Sequence, residues 1–142
     1  MMNGKILVVE DFADSRELLS LLLKRSGYEV FEACDGEEAL KKAADIHPDL
    51  IVMDISMPRM DGLETTTHLK SNAQTKNIPV VIMTAHTQRS LISDALEAGA
   101  VDVLIKPLSF LALGETFGKY IQSQNPDSEF YGRPTTVSPA EL

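Results

Sequence analysis

Residues 50–62 read Leu50-Ile-Val-Met-Asp54-Ile-Ser-Met-Pro-Arg-Met-Asp-Gly62. Four apolar residues end on an acid, and a loop punctuated by Pro58 and Gly62 follows. An apolar run this short, bounded by turn residues, predicts a strand buried on both faces, as in a parallel sheet. The same pattern recurs upstream and downstream. Lys5–Val9 (KILVV) stops at Glu10-Asp11, Val80–Thr84 (VVIMT) follows Pro79, and Val101–Ile105 stops at Lys106-Pro107. Glu29–Ala33 (EVFEA) predicts one more short strand.

Amphipathic segments separate these runs. Asp14–Arg25 has leucines at helical spacing and stops at Gly27. Asp35–Ile46 is rich in Ala, Lys and Glu, with Asp35 as its cap and Pro48 just beyond its end. Leu63–Ser71 and Thr87–Ala98 fit helices, the latter closed by Gly99. A final helix is expected from Ser109 to about Gln122, weakened by Gly114 and Gly118, each of which costs about 1 kcal/mol against Ala. Five strand–helix alternations predict an α/β fold: a doubly wound, five-stranded parallel sheet with helices on both faces. Right-handed crossovers place all strand C-terminal ends along one edge, where ligands bind in such folds. Glu10, Asp11, Asp54, Thr84 and Lys106 all fall at or just past those ends.

The chain has 142 residues, enough for one domain. A domain over residues 3–122 is expected, followed by a flexible tail over 123–142, where Pro, Ser, Thr and Asn dominate and periodicity is lost. Phe130 and Tyr131 are the tail residues able to dock. The net charge of −8 argues against direct binding of nucleic acid. Cys34 is the only cysteine, so no intrachain disulfide forms, which suits a cytoplasmic protein. The N-terminal apolar run is too short for a signal peptide, and no stretch approaches the roughly 18 apolar residues of a membrane span.

Two carboxylates about 4 Å apart repel by roughly 4 kcal/mol at an effective dielectric near 20. Gathering Glu10, Asp11 and Asp54 is therefore costly unless a cation joins them. Mg²⁺ is the natural candidate, since it uses one or two carboxylates, retained waters and phosphate oxygens. An aspartate can accept a phosphoryl group. Asp54 is the best nucleophile, because it ends the middle strand and faces the other acids. Lys106 can supply an ammonium and Thr84 a hydroxyl donor to the equatorial oxygens. In this setting a cis Lys106–Pro107 peptide is expected.

Together these strings resemble the receiver domain of two-component response regulators. The resemblance covers about residues 3–122 and rests on Ile6-Leu-Val-Val-Glu-Asp11, Asp49-Leu-Ile-Val-Met-Asp54, Met57-Pro-Arg-Met-Asp-Gly62, Val80-Val-Ile-Met-Thr-Ala85, Ala98-Gly-Ala100 and Lys106-Pro107. It implies a flavodoxin-like strand order 2-1-3-4-5. It implies Asp54 as phospho-acceptor, Asp11 as direct Mg²⁺ ligand, Glu10 acting on the metal mainly through water, and the Ser56 backbone carbonyl as a further ligand. Thr84 would be the switch hydroxyl, and Lys106 would pair with a phosphoryl oxygen. The implied donor is a histidine kinase or a histidine phosphotransfer protein, and the implied output is altered protein–protein contact with a downstream protein. Such a domain is not an enzyme beyond catalysing its own phosphorylation and dephosphorylation.

One departure stands out. Receivers usually carry Tyr or Phe three residues before the lysine; here the position is Val103, which cannot swing a ring between solvent and pocket. Ser56 and His86 stand where the family tunes loss of the phosphoryl group. In the family, histidine-bearing helices dock on the first helix, where the leucine stripe is wider than one core-facing face, so Leu18 or Leu21 is expected to contribute to docking. His47, His68 and His86 have no mutual ligand spacing and are expected on the surface or at caps. Met53, Met57, Met60 and Met83 are expected in packing.

The expectation is a stand-alone receiver in a phosphorelay, with a receiver fragment of a longer regulator as the alternative. A haloacid-dehalogenase-like phosphatase would need an aspartate where Ser56 stands. A nucleotide-binding domain would need a Gly-rich turn where Glu10-Asp-Phe-Ala stands. A degenerate receiver that takes no phosphate would lack site residues that are all present here.

Overall fold

The computed structural model describes residues 4–108 and 116–121. Its elements run β1 (Lys5–Val9), α1 (Ala13–Arg25), β2 (Glu29–Ala33), α2 (Gly36–Ile46), β3 (Leu50–Asp54), α3 (Gly62–Ser71), β4 (Val80–Thr84), α4 (Arg89–Ala98) and β5 (Asp102–Ile105). Residues 116–121 are helical again. The strands form one parallel sheet in the order β2-β1-β3-β4-β5. β3 lies in the middle, and its Asp54 pairs in register with Met83 of β4.

Strand alternation sorts the core into two layers. Leu7, Val9, Ile51, Met53, Val80 and Ile82 face Ala39, Ala43, Leu69 and Ala95 on α2, α3 and α4. Ile6, Val8, Leu50, Val52, Val81 and Met83 face Leu19 and Leu23 of α1 and Phe117 of the last helical segment. Every residue of β3 and β4 is buried, as expected for strands covered on both sides. Each large apolar side chain so buried contributes roughly 1.5–3 kcal/mol, which makes Phe117, fully enclosed, the anchor of its helical segment.

Most boundaries match the sequence expectation, and the differences lie at helix and strand starts. α1 begins at Ala13 rather than Asp14. α3 begins at Gly62, one residue before Leu63, because Asp61 is its cap and accepts the Glu64 N–H at 2.8 Å. α4 begins at Arg89 rather than Thr87. The Thr84 hydroxyl takes the His86 N–H at 3.0 Å, and the chain is still extended at Gln88, the residue capping α4. β5 begins at Asp102 rather than Val101. The Lys106–Pro107 peptide is cis. The first part of the expected last helix, the 123–142 tail, Phe130 and Tyr131 lie outside the described residues.

Asp35 caps α2 as expected, and its neighbour Glu38 reaches back to the Cys34 N–H at 2.8 Å, an arrangement close to a capping box. That N–H and the Lys42 ammonium hold the Glu38 carboxyl down at about 2. His47 ends α2 in the left-handed region, at φ 54°. His68 is exposed on α3 and His86 is exposed after β4. Met53 and Met83 are core residues, Met57 packs at its edge, and Met60 lies over Gly36. Leu18 and Leu21 are 51% and 46% exposed, so the leucine stripe of α1 does spill past the core. Among the described residues no helix is long and apolar enough to cross a membrane.

One buried side-chain polar atom lacks a partner among the described residues: the Ser20 hydroxyl on the buried side of α1. An unpaired buried hydroxyl forfeits its hydration without return. Ser20→Ala is expected to raise stability by about 1 kcal/mol, read from urea unfolding at unchanged m-value; a loss of stability would mean that the hydroxyl is in fact bonded.

Candidate metal and phosphoryl-acceptor site

Parallel topology brings the strand ends together. Glu10 and Asp11 follow β1, Asp54 closes β3, Thr84 closes β4 and Lys106 follows β5. Ligand oxygens of Glu10, Asp11 and Asp54 lie within 4.8 Å of one another. Glu10 and Asp54 are buried, and Asp11 is exposed at the mouth. The Lys106 ammonium bridges the two buried acids, 3.1 Å from Glu10 Oε1 and 3.1 Å from Asp54 Oδ1. The backbone secures this arrangement. The Lys106 N–H donates to the Thr84 carbonyl at 2.8 Å, and the Ile55 N–H donates to the Met83 carbonyl at 2.9 Å.

The loop from Ile55 to Asp61 carries Ser56 and is closed at its base by the Gly62 N–H bond to the Ile55 carbonyl, 2.9 Å. This closure needs glycine. A Cβ on Gly62 would stand 2.6 Å from the Asp54 carbonyl oxygen and 2.9 Å from the Ile55 Cα, well inside van der Waals contact with backbone that cannot move aside. Beside the acids opens a groove of about 650 Å³, lined by Asp11, Ser56, Met57, Asp61, His86 and Leu91 among others. A second groove of about 600 Å³ runs between α1 and the chain after β5, lined by Leu18, Leu19, Leu22, Met83, Lys106 and Leu108 among others.

Electrostatics agree with the geometry. Burial, and next the charge of Asp54, push the Glu10 carboxyl above its ordinary value, and Lys106 offsets this only in part. Burial alone would pull Lys106 down. Its hydrogen bond and charge interaction with Asp54, then those with Glu10, outweigh that and hold the ammonium above its ordinary value. Three carboxylates thus face one ammonium. An all-oxygen, acid-rich donor set with an open flank is what a small hard cation requires, and the cluster fits a divalent ion such as Mg²⁺.

All the site residues expected from the sequence gather at this edge, with Ser56 on the adjoining groove. The sequence expectation pairs Lys106 with a phosphoryl oxygen, whereas its ammonium here pairs with both Glu10 and Asp54. Sequence reading passed over Arg16, whose guanidinium donates to the Glu10 carbonyl. Nothing in the spacing of Arg16 from Glu10 announces a side chain-to-backbone contact. Val103, at the position usually aromatic in receivers, is half-buried and packs against the sheet layer under α4.

The chain belongs to the response regulator receiver domain family, whose model matches residues 6–117. The alkaline phosphatase synthesis transcriptional regulatory protein PhoP of Bacillus subtilis is 45% identical over 108 residues, 76% of this chain and 44% of that protein. Sporulation initiation phosphotransferase F of the same organism is 36% identical over 121 residues, 85% of this chain and 96% of that protein. Among solved structures, chemotaxis protein CheY4 of Vibrio cholerae superposes with a TM-score of 0.79 at 33% identity, covering 84% of this chain and 99% of that one. The chain spans half or less of the length of several of its curated relatives, PhoP and the mycobacterial PdtaR among them.

The raised Glu10 carboxyl sets a sign for stability in the metal-free chain. Its folded value lies above the ordinary 4.5, so the ionised form destabilises the fold at any pH above that folded value. The penalty fades as pH falls through the folded value toward 4.5. In EDTA, Glu10→Gln is therefore expected to unfold at higher urea than wild type at pH 7, with the gap closing as pH falls toward 4.5. A variant less stable than wild type at pH 7 would show that the Lys106 pair more than repays the burial.

Proposed function

We propose that the chain is a phosphoryl-accepting receiver that uses Asp54, with Mg²⁺ held by Asp11, Asp54 and the Ser56 carbonyl, and by Glu10 through water. The observation that carries this reading is the juxtaposition of Asp54, Lys106 and the two acids after β1 at one sheet edge. The bound ion would supply charge neutralisation for the incoming phosphoryl group. An Asp54 carboxylate oxygen attacks phosphorus of a phosphohistidine, the P–N bond breaks, and the imidazole leaves with the bond's electron pair and picks up a proton. Lys106 stays beside Asp54 and exchanges its Glu10 contact for a phosphoryl oxygen. Thr84, buried one residue beyond Asp54's partner in the register, offers its hydroxyl to another. Water later hydrolyses the acyl phosphate. The chain is thus its own catalyst for phosphorylation and dephosphorylation, and acts on no other substrate.

The donor is a histidine kinase or histidine phosphotransfer protein, which places the reaction in the cytoplasm. Leu18, which lines the groove shared with Glu10 and Lys106, and Leu21, exposed three residues further along α1, offer an apolar seat for the donor's helix. Output runs through altered contacts with a downstream protein and not through nucleic acid. With Val103 in place of a ring, rearrangement around Thr84 reaches that surface without an aromatic swing. The proposal concerns the receiver itself, since relatives include both a protein matched over 96% of its length and one matched over 44%.

Intact-mass measurement after incubation with acetyl phosphate and Mg²⁺ is expected to show one added phosphoryl group in wild type, and none with EDTA or in Asp54→Asn. Leu18→Ala and Leu21→Ala should label normally from acetyl phosphate but slowly from a phosphohistidine protein. Label that persists in Asp54→Asn would assign the acceptor elsewhere.

A further inference from the structure

Strand β1 ends at Val9, so Glu10 and Asp11 stand beyond its hydrogen-bonded ladder. Two carboxylates that must converge on a third are thus carried by chain that the sheet does not pair on both sides. The Glu10 N–H is taken by the Ala33 carbonyl at 3.1 Å. The Glu10 carbonyl, which begins the peptide to Asp11, is taken by Arg16 Nη1 at 2.9 Å. The same guanidinium places Nε 3.1 Å from Glu32 Oε1 on β2. Arg16 is not a loose surface cation: its side chain is only 17% exposed. By contrast Arg59, which pairs with Asp35, is 69% exposed. An ion pair that open contributes little.

We propose that Arg16 is a positioning residue for the metal acids. Its planar fork spans β2 and the Glu10–Asp11 peptide, and it locks that peptide in the orientation that sends both carboxylates toward Asp54. The inference rests on the reading that this cluster binds Mg²⁺. A lysine cannot replace it, because a single ammonium lacks the rigid pair of donors that serves Glu32 and the Glu10 carbonyl together.

Charge and geometry make opposite forecasts here. Removing a cation beside an anionic site strengthens cation binding by Coulomb attraction alone. Losing the grip on the peptide weakens it, and partners that orient metal ligands typically account for 10–100-fold in affinity. The full-length chain can be titrated with Mg²⁺ by calorimetry as wild type, Arg16→Lys and Arg16→Gln, with urea unfolding in EDTA followed in parallel. Both variants are expected to bind about tenfold more weakly than wild type. Acetyl-phosphate labelling of both should recover to the wild-type level at saturating Mg²⁺. Unchanged or tighter binding by a folded Arg16→Gln overturns the proposal, even if that variant is less stable. Should Arg16→Gln fail to fold, Arg16→Lys decides alone: it keeps the charge, so wild-type affinity in that variant overturns the proposal equally. A wild type that binds no Mg²⁺ overturns the functional reading itself, and this inference with it.

Discussion

Three carboxylates whose oxygens converge within 4.8 Å, two of them buried, are the constraint around which this fold is arranged. At such separations each pair repels by several kcal/mol at an effective dielectric near 20. A small domain whose whole stability is about 5–15 kcal/mol does not gather such charges without compensation. The compensating ammonium comes from far along the chain, and nearer contacts hold the acids in place. Lys106 crosses from the end of β5 to Glu10 and Asp54. Arg16 reaches up from α1 to the Glu10 carbonyl. Gly62 lets the Ser56 loop close against the Asp54 backbone. A parallel sheet is the architecture that makes this possible, because each strand delivers its last residue to the same edge.

The rest of the structure holds that edge rigid. β3 and β4 are buried along their whole length, with apolar layers on both faces, so Asp54 and Thr84 stand on strands with little freedom to shift. The chain after β3 and β4 is mostly exposed and flanks the groove beside the acids. Thr84 links the two regimes: its side chain is buried, yet its hydroxyl accepts the N–H of exposed His86. A phosphoryl group that drew the hydroxyl away would release that N–H and alter the turn leading into α4.

Much of this was legible in the sequence, for a physical reason. Strands buried on both faces must be apolar throughout, so KILVV, LIVMD and VVIMT announce themselves, and the acids that end them mark the functional edge. Capping chemistry was local enough to read at Asp35. What could not be read depends on side chains bonding to backbone and on contacts between distant segments. The late start of α4 follows from a hydroxyl claiming the His86 N–H. The bonds of Lys106 to Glu10 and Asp54, and the grip of Arg16 on a backbone carbonyl, arise only once the chain is folded. Val103 was visible as a departure from the family pattern, but its place in the layer under α4 was not.

The most direct test of the account is an NMR titration of the metal-loaded protein with beryllofluoride, which mimics an aspartyl phosphate without any donor protein. The account predicts saturable, slow-exchange shifts centred on Asp54, Thr84, Lys106 and the Ser56 loop, absent when Mg²⁺ is withheld and in Asp54→Asn. Shifts centred on another surface, or none at all in protein that binds Mg²⁺, would contradict it.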